Sequence, residues 1–408
     1  MVDSQTSKDG YIKIEIMNNN KIGCVIAYRK GHTNYGTSLV GYALIKKLQM
    51  LGYDVEVINY VKRLSLMQKV EWMVNAWRCG MGKDILGRFK GANDLKKNAE
   101  YAANIKVRTD AVEAYKERKF IPLFKDFVGY EALHEGSKKY DAVVVGSDQV
   151  WTPLSLPTKF FNLLFVDDKV RKVAYASSFG VSSIPGFQQR ATGAFLDRFH
   201  AIGVREQSGK KIVDNLSHQT ATVVADPTML LDHREWSEEI KDSKVKVDEP
   251  YIFCYFLGTN MDARKAANEL KAKTGLKIIT LRHMDEYVPE DESFGDEAPY
   301  DVNPNDFLAY IKNATYVLTD SFHCSAFSIQ FHKQFMTFYR FAQGSATGRN
   351  SRIDSLFNVL GVNREHIYNG DVMKVEAPLD WIVIDSNLKK LREESVEFLE
   401  KALMMIDC

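Results

Sequence analysis

The stretch TYVLTDSFHCSAFSIQFH, residues 315–332, says more about the fold than any other part of the chain. An apolar run ends at Thr319, and a helical spacing of apolar residues begins after Asp320. This pattern predicts a strand, a tight turn and the N-terminus of a helix. His323 falls in the predicted first helical turn, where unpaired backbone N–H groups can hold an anion. Ligands of open α/β sheets bind beyond the carboxyl ends of strands, so His323 is a candidate catalytic residue.

The same alternation of strand and helix occurs in two blocks along the chain. Near-continuous β-branched runs separated by helical patterns predict parallel sheets covered on both faces. The predicted strands are 21–28, 54–60, 141–146, 172–177, 201–205 and 221–226 in the first block, and 251–258, 276–281, 315–320 and 335–340 in the second. We therefore predict an α/β protein with two Rossmann-like domains that face each other across a cleft, a GT-B-like architecture.

A charged segment that ends in proline, residues 241–250, is the predicted linker between the two domains. The resulting predicted units are a flexible tail over 1–20, an acceptor-side N-terminal Rossmann-like domain over 21–245 with a helical insertion at about 62–118, a donor-side C-terminal Rossmann-like domain over 250–385, and a C-terminal helix over 386–408. We expect the last helix to pack back on the N-terminal domain.

Composition narrows the class of protein. The chain has 408 residues and a net charge of +1, which offers no general argument for a nucleic-acid partner. Its five cysteines are scattered and predict reduced thiols, and no histidines stand at metal-ligand spacing, so we expect neither a metal nor a cofactor. The polar start MVDSQTSKDG and the lack of an apolar run of about 18–20 residues predict a cytoplasmic protein.

One region combines aromatic and basic side chains within residues 61–90. A helical face there would suit peripheral contact with the inner face of a membrane or with a lipid-linked substrate. An amphipathic helix packed on its own domain is the interpretation we favour. The residues concerned are Arg63, Lys69, Trp72, Trp77, Arg78, Lys83, Arg88, Phe89 and Lys90.

The run GSDQVW, residues 146–151, follows the predicted strand DAVVV. Ser147, Asp148 and Gln149 are polar groups that can hydrogen-bond sugar hydroxyls, and Trp151 can stack on a sugar face. The alternative is that Ser147 or Asp148 only caps the next helix. We favour a functional site that binds a sugar, because the run is too polar for capping alone.

Two further strand ends are weaker candidates for acceptor binding. Asn34, Tyr35 and Gly36 lead from the first strand into a helix, where glycine allows backbone to approach a ligand. A functional loop and a plain turn are both compatible with that spacing. Ser178 follows another strand of the same predicted sheet.

Arginines at strand ends are the candidates for holding an anion. Arg205 follows the strand AIGV and can clamp a carboxylate or phosphate, although a surface ion pair with Glu206 or a nearby acid is an equal alternative. Arg340, Arg349 and Arg352 lie at and beyond the end of the predicted strand FMTFYR, and we expect at least one of them to be an ordinary solvated arginine.

Together these residues resemble the polysaccharide pyruvyl transferase family. The points of resemblance, in order along the chain, are NYG (34–36), GSDQVW (146–151), YASSFG (175–180), VRE (204–206), ADPTMLL (225–231), TDSFHCSAFS (319–328) and NSRI (350–353). Many members carry arginine immediately before the histidine, where this chain has Phe322. Arg340 or Arg352 would then take over the role of that arginine.

The resemblance implies transfer of a pyruvyl group from phosphoenolpyruvate, a co-substrate, to two hydroxyls of a sugar. The product is a cyclic pyruvate ketal, and the acceptor would be a lipid-linked glycan precursor of a surface or capsular polysaccharide. We interpret His323 as the general acid and Asp148 as the group that orients or deprotonates the acceptor. The predicted donor-site residues are Arg205, Ser321, Phe322, Arg340 and Arg352. A GT-B glycosyltransferase that uses a nucleotide sugar is the alternative, since it shares the predicted fold.

Overall fold

The computed structural model describes residues 20–62, 66–79, 98–282, 284, 287–340 and 350–404. Nearly all of the predicted tail, the segment 80–97 of the helical insertion with its four aromatic and basic residues, and Arg349 lie outside the described residues. Within those ranges, no helix is both long enough and apolar enough to cross a bilayer.

The N-terminal domain is built on a parallel sheet of seven strands in the order β3-β2-β1-β4-β5-β6-β7. Its central strand β4 reads AVVV and every residue is buried, as expected for a strand covered on both faces. The strands are β1 Lys21–Val25, β2 Asp54–Val61, β3 Phe124–Val128, β4 Ala142–Val145, β5 Arg171–Ser177, β6 Ala201–Val204 and β7 Ala221–Val223.

Strand β3 has no counterpart among the predicted strands. It reads FKDFV, and Lys125 and Asp126 are exposed. Because β3 lies at the edge of the sheet and pairs only with β2, it keeps polar residues in its middle. An edge strand therefore lacks the apolar run on which the prediction relied.

The C-terminal domain has a parallel sheet of four strands in the order β11-β10-β8-β9. These strands are β8 Tyr251–Tyr255, β9 Lys277–Leu281, β10 Tyr316–Thr319 and β11 Gln334–Thr337. All four correspond to predicted strands. The two parallel sheets confirm the predicted α/β fold with two Rossmann-like domains.

Helices cover both sheets and supply the N-termini that face the cleft. In the N-terminal domain they are α1 Tyr35–Met50, α2 Leu66–Arg78, α3 Ala99–Lys119, α4 Tyr130–Ser137, α5 Gly186–Leu196, α6 Gln207–Leu216 and α7 His233–Ile240. In the rest of the described chain they are α8 Met261–Thr274, α9 Pro304–Asn313, α10 Phe322–Gln330, α11 Ser351–Leu360 and α12 Trp381–Met404.

The floor of the cleft is a shared apolar core. The Tyr35 ring of α1 stacks on Phe307 of α9, with ring centroids 4.8 Å apart. The Tyr35 hydroxyl donates a hydrogen bond to the carbonyl of Val302 (3.1 Å). Trp236 of α7 likewise meets Phe327 of α10 edge-on at 5.1 Å. The domains are therefore joined by buried aromatic contacts as well as by the linker.

Helix α12 crosses from the C-terminal domain to the first sheet. The Ser395 hydroxyl accepts a hydrogen bond from the Ala225 N–H (2.8 Å), and Arg171 Nε donates to the Ala402 carbonyl (2.6 Å). Leu399 and Leu403 are fully buried in the core beneath that sheet. The terminal helix thus forms a second connection between the two domains, in addition to the linker.

Candidate active site

The turn between β10 and α10 places His323 at the cleft. The Asp320 carboxylate accepts a hydrogen bond from the Leu257 N–H (2.6 Å), which holds the turn against the chain that follows β8. The Ser321 hydroxyl accepts a hydrogen bond from the Cys324 N–H (3.4 Å) and so caps α10. The structure thus gives Ser321, predicted to bind the donor, a capping role that orients the first helical turn.

The N-terminus of α1 meets His323 from the opposite domain. Asn34 caps α1 by accepting a hydrogen bond from the Thr37 N–H (3.4 Å). A Cβ built on Gly36 would lie 2.2 Å from Nδ1 of His323, far inside van der Waals contact. Glycine is therefore required here for space. Gly36 lets the backbone of α1 approach His323, the candidate acid. The sequence predicts instead that this glycine lets the backbone approach a ligand.

His323 lies beside a fully buried ion pair. Its Nε2 is 3.6 Å from Oδ2 of Asp226, and the same oxygen accepts a hydrogen bond from Arg205 (2.7 Å). The other Asp226 oxygen accepts hydrogen bonds from the Thr228 N–H and hydroxyl. Burial alone would raise the pKa of Asp226, but the neighbouring imidazole and guanidinium outweigh it and hold that pKa far below its usual value. Asp226 is thus a fixed negative charge next to the imidazole of His323.

Asp148 approaches the same network from the end of β4. It has a φ of +90°, a left-handed conformation that is strained for a residue with a side chain. Thr37 donates its hydroxyl to Asp148 Oδ2 (2.8 Å), and Arg205 Nη2 lies 4.0 Å from Oδ1. Burial opposes ionisation, yet the charges of Arg205 and His323 lower the pKa of Asp148. Strained backbone of this kind occurs at functional sites, and here it aims an ionised carboxylate at the cleft.

A third carboxylate, Glu206, completes the surroundings of Arg205. Its Oε2 lies 3.7 Å from Arg205 Nε, and its Oε1 accepts a hydrogen bond from the Ser178 hydroxyl (2.6 Å). Ser178 is fully buried, and its hydroxyl supports Glu206. The prediction that Ser178 contacts the acceptor is therefore corrected. Arg205 itself is buried, which excludes a surface ion pair with Glu206.

Two guanidinium groups flank Phe322. The Cζ atoms of Arg205 and Arg352 lie 5.3 and 5.9 Å from the centroid of its ring. Burial and the repulsion of Arg205 lower the pKa of Arg352 to about 10. Among the described residues, its Nε has no hydrogen-bond partner. An anion placed beside Arg352 would relieve both penalties.

A cavity of about 200 Å³ between the domains is lined by part of this network, whereas His323 and Asp148 are not among its lining residues. Arg205, Glu206 and Asp226 come from the N-terminal domain, whereas Phe322, Arg352 and Ser355 come from the C-terminal domain. The lining thus combines two guanidiniums with two carboxylates, and a small anion beside the guanidiniums would fit a cavity of this size. The carboxyl ends of both sheets therefore contribute to one candidate active site.

Arg340 lies at a different place in the cleft. Its guanidinium donates to the Asp320 carbonyl (3.1 Å) and lies 3.4 Å from the Asp320 carboxylate. Arg340 supports the turn before α10, and Arg352 is the arginine that faces the cavity. Of the two predicted replacements for the family arginine, the geometry favours Arg352.

Two predicted acceptor residues are buried in the hydrophobic core. Trp151 is fully buried, packs on Phe179 (5.2 Å between ring centroids), and donates its indole N–H to the Phe161 carbonyl (2.9 Å). It cannot stack on a sugar in this arrangement, so that prediction is corrected. Tyr35 is likewise a core residue, because its ring and hydroxyl are both engaged with the opposite domain.

The other residues of the GSDQVW run differ in accessibility. Ser147 is buried, and its hydroxyl has no hydrogen-bond partner among the described residues. Gln149 is half-buried and lies beside Gly180, whose added Cβ would be 3.2 Å from the Gln149 amide carbon. Gln149 therefore remains a candidate for contact with a ligand, with Asp148 beside it.

A second cavity, of about 280 Å³, lies between α3 and the segment that follows β9. Its lining includes Asn98, Tyr101, Arg282, Tyr287 and Tyr300. None of the residues of the His323 network lines it. We place the candidate active site at the smaller cavity because Arg205 and Asp226, the buried pair beside His323, line it together with Arg352.

Asp226 is the important residue that the sequence reasoning missed. The ADPTMLL run entered only as a point of resemblance, with no role for its aspartate. The signal was nevertheless present, since Asp226 follows the strand β7 at its carboxyl end, just as Asp148 follows β4. The clue that would have selected it is an acidic residue shortly beyond the carboxyl end of a strand.

Two parallel sheets whose carboxyl ends share one charged cleft define the class of protein: a two-domain enzyme fold of the GT-B type. The chain belongs to the polysaccharide pyruvyl transferase family, because the model of that family matches residues 34–340. Comparison with curated protein sequences gives no match.

Solved structures with a similar fold include nucleotide-sugar enzymes. A UDP-N-acetylglucosamine 2-epimerase is 11% identical, with 95% of this chain and 96% of that chain covered and a TM-score of 0.51. The UDP-GlcNAc 2-epimerase of Methanocaldococcus jannaschii is 12% identical, with 94% and 99% covered and a TM-score of 0.49. At such identities the similarity concerns the fold alone.

Proposed function

We propose that this protein transfers the pyruvyl group of phosphoenolpyruvate to two hydroxyls of a sugar and forms a cyclic pyruvate ketal. The acceptor we propose is a lipid-linked glycan precursor of a surface or capsular polysaccharide. Membership of the pyruvyl transferase family supports the reaction class. The site supports it through the size of the interdomain cavity and the two guanidiniums in its lining.

The observation that carries the proposal is the pair of guanidiniums, Arg205 and Arg352, within 6 Å of the Phe322 ring centroid. Phosphoenolpyruvate brings about three negative charges, which need cations in a site that is largely removed from water. Arg352 reaches the cavity without an acidic hydrogen-bond partner among the described residues, and Arg205 keeps Nε and Nη2 without hydrogen bonds there. We assign phosphate or carboxylate binding to these two side chains.

His323 is the proposed general acid. Protonation of the methylene carbon of phosphoenolpyruvate gives an oxocarbenium-like centre at C2, which one sugar hydroxyl attacks. The phosphate then leaves with the C–O bonding pair and C2 becomes oxocarbenium-like again, so the second hydroxyl closes the ring there and gives its proton to the released phosphate. The Asp226 carboxylate lies 3.6 Å from Nε2 of His323 and holds a negative charge beside the imidazole.

Asp148 is the proposed partner of the acceptor. It is ionised at neutral pH and held by Thr37, so it can accept a hydrogen bond from a sugar hydroxyl. Its lowered pKa makes it a weak base, which suits orientation of the nucleophile before the oxocarbenium-like centre forms. Full proton transfer would follow the attack, when the hydroxyl has become acidic.

Calorimetric titration with phosphoenolpyruvate, beside UDP and GDP, tests the donor. Binding of phosphoenolpyruvate alone would support the proposal, and phosphate release with sugar acceptors would then identify the acceptor. Binding of a nucleoside diphosphate in place of phosphoenolpyruvate would move the protein to the glycosyltransferases that use nucleotide sugars.

A further inference from the structure

Helix α2 exposes an apolar stripe to solvent. Val70, Met73, Val74 and Trp77 are 49, 58, 51 and 78% exposed. Their spacing of three, one and three residues places them on one face of a helix. Four large apolar side chains on one outward helical face are unusual for a helix that only packs on its own domain.

The opposite face of α2 is anchored to the N-terminal domain. Asn75 and Ala76 are buried, and the Asn75 amide donates to the Pro153 carbonyl (3.3 Å). Gln188 of α5 donates to Asn75 Oδ1 (3.0 Å), and the Arg78 guanidinium lies 4.1 Å from the centroid of the Phe187 ring. These contacts fix the rotation of α2, so the apolar stripe points away from the domain.

The charge around the stripe is positive. Residues 61–79 contain four basic residues and one acidic residue, although the whole chain has a net charge of only +1. Arg78 is exposed next to Trp77 at the C-terminal end of the helix. An apolar helical face that includes a tryptophan, in a segment rich in basic residues, is the pattern of helices that lie in the plane of a membrane interface.

We propose that α2 docks on the surface of an anionic bilayer. Val70, Met73, Val74 and Trp77 would enter the boundary between headgroups and acyl chains, while the basic residues meet lipid phosphates. Its anchored face rests on Pro153, which follows the GSDQVW run that contains Asp148. Docking would therefore bring the acceptor side of the cleft next to the membrane that holds a lipid-linked sugar. This last point rests on the proposed function; the docking itself does not.

Vesicle flotation tests the proposal with the full-length protein. We would compare vesicles of equal parts phosphatidylglycerol and phosphatidylcholine with vesicles of phosphatidylcholine alone. Wild type should float with the anionic vesicles at low salt and less at high salt, because salt screens the charges. The double variant Met73→Ser, Trp77→Ser should partition into the anionic vesicles at least about tenfold more weakly than wild type, since two exposed apolar side chains are lost.

The matched control is Ile382→Ser at the start of α12. Ile382 is 85% exposed, so the same kind of change removes an equally accessible apolar group elsewhere on the surface. It should leave flotation unchanged. Equal loss of flotation in Ile382→Ser, or wild-type flotation of the double variant, would overturn the proposal.

Quenching by lipids brominated on their acyl chains gives a second readout. Trp77 fluorescence should be quenched on binding, and Trp77→Phe should keep flotation but lose most of that quenching.

Sedimentation velocity without vesicles tests the alternative that the stripe binds a second copy of this chain. A dimer that the double variant abolishes, together with no flotation of wild type, would show that the stripe contacts a second copy and not a membrane. These assays need neither phosphoenolpyruvate nor turnover, so their failure is separate from failure of the proposed reaction.

Discussion

Gly36 and His323 belong to different domains, yet a Cβ on Gly36 would lie 2.2 Å from Nδ1 of the imidazole. Gly36 is in the first turn of α1, and His323 is in the first turn of α10. The candidate acid is therefore positioned by backbone from the opposite side of the cleft. It follows that the site is complete only when the two domains are docked as they are here.

Gly36→Ala should displace His323. The added methyl must displace either the imidazole of His323 or the start of α1, whose Thr37 donates a hydrogen bond to Asp148. We expect turnover to fall at least about 100-fold, the scale of losing positioned acid catalysis, while the protein stays folded. Steady-state kinetics and thermal unfolding would measure this.

Gly186→Ala is the matched control, because a Cβ there meets no atom within 4 Å and the residue starts α5. It should be neutral or stabilising by up to about 1 kcal/mol. Equal turnover in Gly36→Ala and wild type would show that close packing at His323 has no catalytic role.

His323→Gln should lose turnover and keep the donor. We expect the rate to fall by about 10²–10⁴, the usual contribution of a positioned acid, with the Kd for phosphoenolpyruvate changed by less than about threefold. Single-turnover rates and calorimetry would separate the two quantities. His218→Gln is the control, since the His218 side chain is 96% exposed on the surface. Near-wild-type turnover of His323→Gln would refute the acid assignment.

Arg352→Met should weaken donor binding without unfolding the protein. Its Nε makes no hydrogen bond within the described chain, and burial disfavours its charge, so the apo protein loses little. The complex would lose a charge-assisted contact of about 2–3 kcal/mol, a Kd roughly 30–150-fold higher. Calorimetric titration with phosphoenolpyruvate would measure it.

Arg364→Met is its control, because Arg364 pairs with Asp354 on the surface. Arg205→Met is a poorer test, since it leaves the buried Asp226 without its guanidinium and should cost about 3–5 kcal/mol of stability. Unchanged donor affinity in Arg352→Met would remove this arginine from the donor site.

Trp151→Ala should destabilise the N-terminal domain. Removing a fully buried indole leaves a cavity and should cost about 3–5 kcal/mol of unfolding free energy, measured by chemical denaturation. Trp151→Phe keeps most of the volume and loses the hydrogen bond to Phe161. If Trp151 is only a core residue, the KM for the sugar acceptor should be unchanged in Trp151→Phe. A tenfold rise in that KM alone would restore a sugar-binding role.

Glu56→Gln should remove an acid-sensitive part of the stability. Burial opposes ionisation of Glu56, but its hydrogen bonds with Lys139, Lys21 and Tyr140 lower its pKa to about 2. Because the folded pKa is below the unfolded value of about 4.3, the stabilisation is fully present above pH 5 and is lost as the pH falls towards 2. The carboxylate is partly exposed, so we expect only about 1–2 kcal/mol at pH 7.

Denaturation at several pH values would measure this difference, which should vanish near pH 2. Glu269→Gln is the control, since Glu269 pairs with Lys273 on an exposed helical face. Its effect should stay within about 0.5 kcal/mol. A Glu56→Gln penalty that persists at pH 2 would show that packing and not charge is responsible.

Local sequence pattern was sufficient for most of the fold. Strands such as AVVV at 142–145 are buried on both faces, so their apolar runs predict them directly. The edge strand FKDFV was missed because half of it faces solvent. His323, Asp148 and Arg205 were found because each follows a buried strand, and the carboxyl ends of parallel strands meet at one edge. The pairing of Arg205 with Asp226, which follows a different strand, was not found.

The sequence by itself determined two parallel sheets, the strand ends where polar groups gather, and the candidate acid at a helix N-terminus. These are consequences of apolar spacing and backbone hydrogen bonding within short segments. Only the tertiary structure decided that Gly36 faces His323, that Trp151 is core, and that Arg352 and not Arg340 lines the cavity. Those relationships depend on how side chains from two domains pack together, and no local spacing encodes the distance between residues that far apart in the chain.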